Sequence, residues 1–280
     1  MRTILVIANQ TIGGAKLLEA IKQKVDAAGG DARVVIAVPR VPPRHGHIIY
    51  DDAVFEAAQV RIDLARRFLR EDGISAIGEV GDPDPYTTAM DAIAEHQPDE
   101  IIVSTLPTTS SGWMRRDLLD RIRDDSGRPV EHVVVDLQAE GLPFNVTLVV
   151  ANRTAATDDL LAALDKLAAE DDHKRLFIAC VPQEGGHGSA GAMARSRKAQ
   201  VVDRIMAHGH VAAGIVGDPD PYTAVMNALE FFRVDDIVIS TLPATRSGWL
   251  RGNLIARVAA ATGKPVIHVE VSPAKAPATA

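Results

Sequence analysis

Two sets of side chains, one in each half of the chain, have the residue types that hold a small polar ligand. In the first half, Asn9 and Thr11 follow one apolar run, Ser104 and Thr105 follow another, and Ser111, Gly112 and Arg115 open a helical stretch. In the second half, the same places are taken by Asn152 and Thr154, by Ser240 and Thr241, and by Ser247, Gly248 and Arg251. Amides and hydroxyls both donate and accept hydrogen bonds. A helix start adds unpaired N–H groups and positive potential. An arginine in the first turn adds a charge-assisted fork. The chemistry expected is therefore binding of a small polar or anionic ligand. No nucleophile elbow, ordered Ser-His-Asp set or metal-ligand cluster is present in the sequence pattern, so no catalytic or metal residue is assigned. The competing reading has these groups only capping the loop and the helix.

Other chemistry-bearing residues are better explained by structure. Trp113 and Trp249 sit at a helix start in each half, where a large aromatic more often anchors packing than stacks on a base. Tyr86 and Tyr222 receive the same reading. Asp82, Asp84, Asp218 and Asp220 alternate with prolines, which suits a turn and a helix cap better than a metal site. His208 and His210 have no third ligand nearby in sequence and are expected to decorate a loop. His132 and His268 occupy matching places on a final strand and are expected at a surface or interface. Cys180 lies in the apolar run Leu176–Val181 and is expected in the core.

The matching sets arise because the chain repeats itself. Gly81-Asp82-Pro83-Asp84-Pro85-Tyr86-Thr87 recurs letter for letter from Gly217 to Thr223. Ser104-Thr105-Leu106-Pro107 recurs at Ser240, and Ser111-Gly112-Trp113 at Ser247, always with an offset of 136 residues. Asn9 and Asn152, or Pro39 and Pro182, are instead 143 apart, so the second copy has lost seven residues before its Gly-Asp-Pro turn. A repeat this long is a domain and not a solenoid unit. The expected domains are residues 1–138 and 144–272, joined by a short linker and followed by a Pro/Ala-rich tail.

Each copy alternates strand and helix signals. Thr3–Ala8 is a continuous apolar run, as in a strand buried on both faces of a parallel sheet. Leu17, Leu18, Ile21 and Val25 share one helical face that ends at Gly29-Gly30. Val34–Val38 and Ile74–Val80 read as strands two and three. Asp84 and Pro85 read as the cap and first residue of a helix. Ile101–Val103 is strand four, a helix is expected from about Trp113 to Arg123, and Val130–Val135 is strand five. The second copy repeats this order. Such alternation gives an α/β fold, two tandem Rossmann-like domains, each with a parallel sheet flanked by helices.

The motif positions resemble the universal stress protein family, as a tandem of two such domains. The resemblance rests on Gly81-Asp82-Pro83 and Gly217-Asp218-Pro219 before the third helix. It rests also on Asp99 and Asp235 leading into strand four, and on Pro129-Val130 and Pro265-Val266 opening strand five. It implies five parallel strands in the order 3-2-1-4-5, and ATP or another nucleotide as the ligand class to consider. Nucleotide-binding members carry Gly-x-x-Gly, nine residues, then Gly-Ser/Thr. Here those places hold Ser104 and Pro107 before Asp117-Leu118, and Ser240 and Pro243 before Asn253-Leu254. The aspartate usual at the end of strand one is replaced by Asn9 and Asn152. A proline donates no N–H and an aspartate repels phosphate, so ATP binding in the usual manner is not expected. In strand order 3-2-1-4-5 the ligand crevice opens between strands one and four, where the two sets of polar residues fall.

Composition narrows the remaining classes. The 280 residues carry 30 Lys and Arg against 37 Asp and Glu, a net charge of −7, which argues against nucleic-acid partners. A single cysteine suits a reducing compartment. No run approaches the ~20 apolar residues of a membrane span. A cytoplasmic small-ligand or signalling protein of the stress response is the leading expectation. An interaction module, with its copies paired as an internal pseudo-dimer and its sheet edges open to a homodimer, is the second. A slow nucleotide hydrolase is the third.

Overall fold

The computed structural model describes residues 1–42, 51–107, 117–184, 190–243 and 247–271. The chain divides between Pro143 and Phe144 into two compact units. In the first, β1 (Arg2–Ile7), α1 (Ala15–Ala27), β2 (Ala32–Pro39), α2 (Asp51–Glu71) and β3 (Ala76–Gly81) are followed by α3 (Pro85–His96), β4 (Glu100–Thr105), α4 (Leu118–Ser126), β5 (Val130–Val134) and α5 (Leu137–Glu140). All neighbouring strands are parallel, in the order β3-β2-β1-β4-β5.

The second unit repeats the pattern with β6 (Asn145–Val150), α6 (Asp158–Ala169), β7 (Arg175–Pro182), α7 (Ala190–Ala207) and β8 (Val211–Gly217). Then come α8 (Pro221–Phe231), β9 (Asp236–Thr241), α9 (Gly248–Arg251), α10 (Leu254–Thr262) and β10 (Val266–Glu270). Its sheet is also parallel, ordered β10-β9-β6-β7-β8, the same arrangement read from the other edge. Both sheets thus have the expected 3-2-1-4-5 order.

The apolar runs are strands because both faces of each sheet are covered. On β1, Ile4 and Val6 pack with Leu17, Leu18 and Ile21 of α1 and Ile62 of α2. The alternate residues Leu5 and Ile7 pack with Ala89, Ala92 and Ile93 of α3 and Ile122 of α4. Two-residue periodicity sends neighbours to opposite layers, so every position must be apolar. In the second unit Phe177 and Ala179 of β7 pack with Leu160 and Leu164 of α6 and with Val201 and Ile205 of α7. Cys180 is buried, as expected of a core residue.

The repeated motifs earn their residues locally. Asp84 Oδ2 accepts the Thr87 N–H at 3.0 Å and Asp220 Oδ2 accepts the Thr223 N–H at 2.9 Å, capping α3 and α8 with proline at the first helical position. Asp82 and Asp218 each accept a backbone N–H two residues ahead at 2.8 Å. Asp99 accepts the Thr3 N–H and Asp235 the Val146 N–H, both at 2.7 Å, lashing the entry of strand four to strand one. A Cβ added to Gly217 would lie 2.7 Å from Ala224 Cβ and 2.8 Å from Cys180 Sγ, so only glycine allows α8 to approach β8 this closely.

Three expectations change. The linker contains a helical turn, α5, because Asp136 Oδ1 accepts the Gln138 and Ala139 N–H groups, both at 3.1 Å. In the second unit the expected single fourth helix is broken into α9 and α10, where Asn253 adopts φ +50°. Asparagine tolerates that left-handed conformation better than most residues, and the helix cannot run through it. The helix start expected near Trp113 in the first unit and the tail at 272–280 lie outside the described residues. His208 and His210 are not loose decoration. Their ring nitrogens meet the two oxygens of Asp165 at 2.8 and 2.7 Å, and the matching contact in the first unit is Lys22 with Asp72, the charges exchanged between helix and turn. Among the described residues, no helix is long and apolar enough to cross a membrane.

Candidate functional site

Both units bring their polar set to the carboxyl ends of the central strands, where the strand order reverses. Asn9 Nδ2 donates to the Pro39 carbonyl at 2.9 Å, and Asn152 Nδ2 to the Pro182 carbonyl at 2.9 Å. Thr11 Oγ1 donates to the Ser104 carbonyl at 3.4 Å, and Thr154 Oγ1 to the Ser240 carbonyl at 3.1 Å. The end of strand one is thereby stitched to strand two on one side and to strand four on the other. These amide nitrogens and threonine hydroxyls hold the strand ends together.

What remains free is more specific. Ser104 and Ser240 are buried, yet neither Oγ has a partner among the described residues. Asn9 Oδ1 is likewise buried without one. Buried hydroxyls and carbonyls without partners are unusual in a folded protein. Thr105 Oγ1 lies 2.9 Å from His132 Nε2, and Thr241 Oγ1 lies 2.8 Å from His268 Nε2. Burial holds the His132 ring below the ordinary histidine range. Ser111, Gly112 and Arg115 lie outside the described residues, which leaves the first unit's site represented by its strand ends.

The second unit has a formed crevice of about 480 Å³ at this position. Asn152, Thr154, Ser240, Thr241, Ser247 and Gly248, all expected from the sequence, line it. Arg251 belongs to α9, and its side chain lies outside the described residues. The volume lies within the range of small-molecule sites. The wall combines hydroxyls and an amide with the half-buried ring of Trp249. Trp249 therefore faces the crevice, beyond the packing role expected of it.

Arg153, Gln183, Glu184, Pro219 and Leu242 line it as well, and of these Arg153 and Glu184 carry charge. Arg153 Nε bonds Glu184 Oε1 at 2.8 Å, and Arg197 of α7 reaches the same oxygen at 3.1 Å. Arg197 also donates to Asn152 Oδ1. The Arg153 bond, against some opposing burial, holds the Glu184 carboxyl below the usual carboxylate range. A signal for this pair was present in the repeat. At the 143-residue offset, Arg153 and Glu184 stand where the first copy has Gln10 and Val41, so two opposite charges appear together in one copy.

The fourth helix contributes less than its start suggests. The helical turn at the crevice, α9, spans only four residues. The Ser247 N–H donates to the Pro243 carbonyl at 3.0 Å, and the Leu250 N–H donates to Ser247 Oγ at 3.3 Å. Two backbone donors that an anion would use are already satisfied. Elsewhere, Glu79, Glu95 and His96 meet on the first unit, with His96 Nε2 2.9 Å from Glu79 Oε2. The same positions in the second copy are Ile215, Phe231 and Phe232, all buried, and no spacing in the sequence announces the trio.

No family model matches the chain, and no curated protein matches it. Among solved structures it is similar to a universal stress protein from Archaeoglobus fulgidus DSM 4304, at 15% identity and a TM-score of 0.35, covering 98% of this chain and 97% of that one. It is also similar to a second chain bearing that family name, from Pseudomonas aeruginosa UCBPP-PA14, at 14% identity and a TM-score of 0.31, covering 96% and 93%.

Proposed function

We propose that this chain is a tandem universal-stress-like protein that binds a small ligand in the crevice of its second unit, as a binding or signalling module of the stress response. One observation carries the reading: a crevice of about 480 Å³ lies at the strand-order reversal and is lined by Ser240, whose buried Oγ has no partner among the described residues, and by Trp249. An unsatisfied hydroxyl offers a hydrogen bond, and a half-buried indole offers a flat apolar wall. Together they suit a ligand with a planar ring and polar substituents. A ligand that binds the native state and not the unfolded one raises the unfolding midpoint, increasingly with its concentration relative to Kd. The test is a thermal-shift panel of adenosine, AMP, ADP, ATP and cyclic nucleotides against the full chain and against Ser240→Phe, which fills the crevice. The expected result is stabilisation by at least one compound that the variant loses. No stabilisation, or stabilisation that survives in the variant, counts against the reading.

A second reading, self-association through the sheet edges, is supported by Val134 on β5 and Ile267 on β10. Both are exposed apolar residues on outer strands, with solvent exposures of 41% and 36%. Sedimentation of the full chain, with Val134→Lys and Ile267→Lys as controls, distinguishes a dimer from a monomer.

A further inference from the structure

We infer that the second unit's crevice admits an uncharged ligand and turns away phosphorylated ones, with Glu184 as the excluding residue. The inference rests on the binding reading above and adds the charge class of the ligand. Among the described residues, Arg153 and Glu184 are the charged side chains that line the crevice. A phosphate entering it would seek Arg153 and the neighbouring Arg197. Both guanidinium groups already face Glu184 Oε1, at 2.8 and 3.1 Å. A carboxylate therefore occupies the place between two arginines that an anionic group would need. The arriving phosphate would meet a like charge, and Glu184 would leave its partners to make room. The backbone gives no alternative cradle at the two donors described. The Ser247 N–H is held by the Pro243 carbonyl, and the Leu250 N–H by Ser247 Oγ.

The neutral polar groups of the wall are differently placed. Ser240 Oγ has no partner among the described residues, and Trp249 lines the same crevice. An uncharged molecule with a planar ring and hydroxyl or amide groups can use both without breaking an internal ion pair. The first copy makes the contrast sharper. It has Gln10 and Val41 at the places of Arg153 and Glu184, so this charge filter belongs to the second copy alone.

The test is calorimetric titration of inorganic pyrophosphate, at low salt, into the full-length wild type and Glu184→Gln. Glutamine keeps an acceptor for Arg153 and removes only the charge. The variant is expected to bind pyrophosphate at least about tenfold more tightly than the wild type. Adding Arg153→Ala to Glu184→Gln is expected to abolish the gain. Glu184→Ala gives the same forecast if the glutamine variant folds poorly. A ratio within about twofold overturns the inference, whether both proteins bind or neither does, and so does a gain that survives Arg153→Ala. Adenosine and AMP on the wild type provide a second arm, with adenosine expected to bind at least about tenfold more tightly. AMP binding as well as adenosine overturns the filter. Failure of adenosine to bind, with the pyrophosphate gain intact, counts against the binding reading and leaves the filter standing.

Discussion

Thr241 Oγ1 and His268 Nε2 lie 2.8 Å apart, joining the last residue of β9 to the outer strand β10. The first unit makes the same bond between Thr105 and His132, at 2.9 Å. The histidines expected at a sheet edge are thus tied to threonines expected at the ligand site. The outermost strand is fixed to the crevice wall by a side chain as well as by its backbone ladder.

This relationship gives a pH dependence in the first unit. Burial lowers the His132 pKa below the ordinary value of 6.5, so the unfolded chain takes up a proton before the folded one. Stability is then fully present above pH 6.5 and falls as the pH drops toward the folded pKa. The unfolding midpoint of the full chain is expected to decline over that window. His132→Gln, which cannot titrate, is expected to flatten the decline. Identical pH profiles for the two proteins would show that His132 stays solvated.

Ser240 and Thr154 separate binding from folding. Ser240 Oγ has no partner among the described residues, so Ser240→Ala leaves none of them orphaned and is expected to change stability by less than about 0.5 kcal/mol. Thr154 Oγ1 donates to the Ser240 carbonyl, and Thr154→Val is expected to cost about 1 kcal/mol in denaturant titrations. A loss of ligand affinity in Ser240→Ala at wild-type stability would assign the hydroxyl to the ligand.

Asp220 offers a test of the repeated turn. Its carboxylate caps α8 through the Thr223 N–H and hydroxyl, at 2.9 and 2.8 Å. Asp220→Ala is expected to destabilise the second unit by about 1 kcal/mol, and Asp220→Asn by less. Equal losses in both variants would point to charge and not to the cap.

Gly217 is the more severe case. An added methyl would meet Ala224 Cβ and Cys180 Sγ at 2.7 and 2.8 Å, inside van der Waals contact. Gly217→Ala is expected to cost about 1–3 kcal/mol through displacement of α8. Pairing it with Cys180→Ala, which opens space, is expected to recover part of the loss. A wild-type denaturation midpoint for Gly217→Ala would mean that the helix shifts freely.

The sequence by itself determined the duplication and the parallel sheets. Apolar runs such as Thr3–Ala8 need cover on both faces, and the repeated Asp-Pro turns mark where each third helix begins. Those properties are local or periodic, so they survive in one dimension. The strand order 3-2-1-4-5 came from resemblance, and the hydrogen-bonded registers supply it directly. The tertiary structure decided which polar groups are free. Asn152, Thr154 and Ser240 read alike in sequence, yet the threonine hydroxyl is spent on a carbonyl and the serine hydroxyl has no partner among the described residues. It also decided the crevice's charge, because Arg153, Glu184 and Arg197 come from three separate segments and meet only when strand ends and helix α7 converge. Periodicity reports which face a residue is on. Which acceptor lies within 3 Å of a given donor depends on distant chain brought close, and that is a property of packing alone.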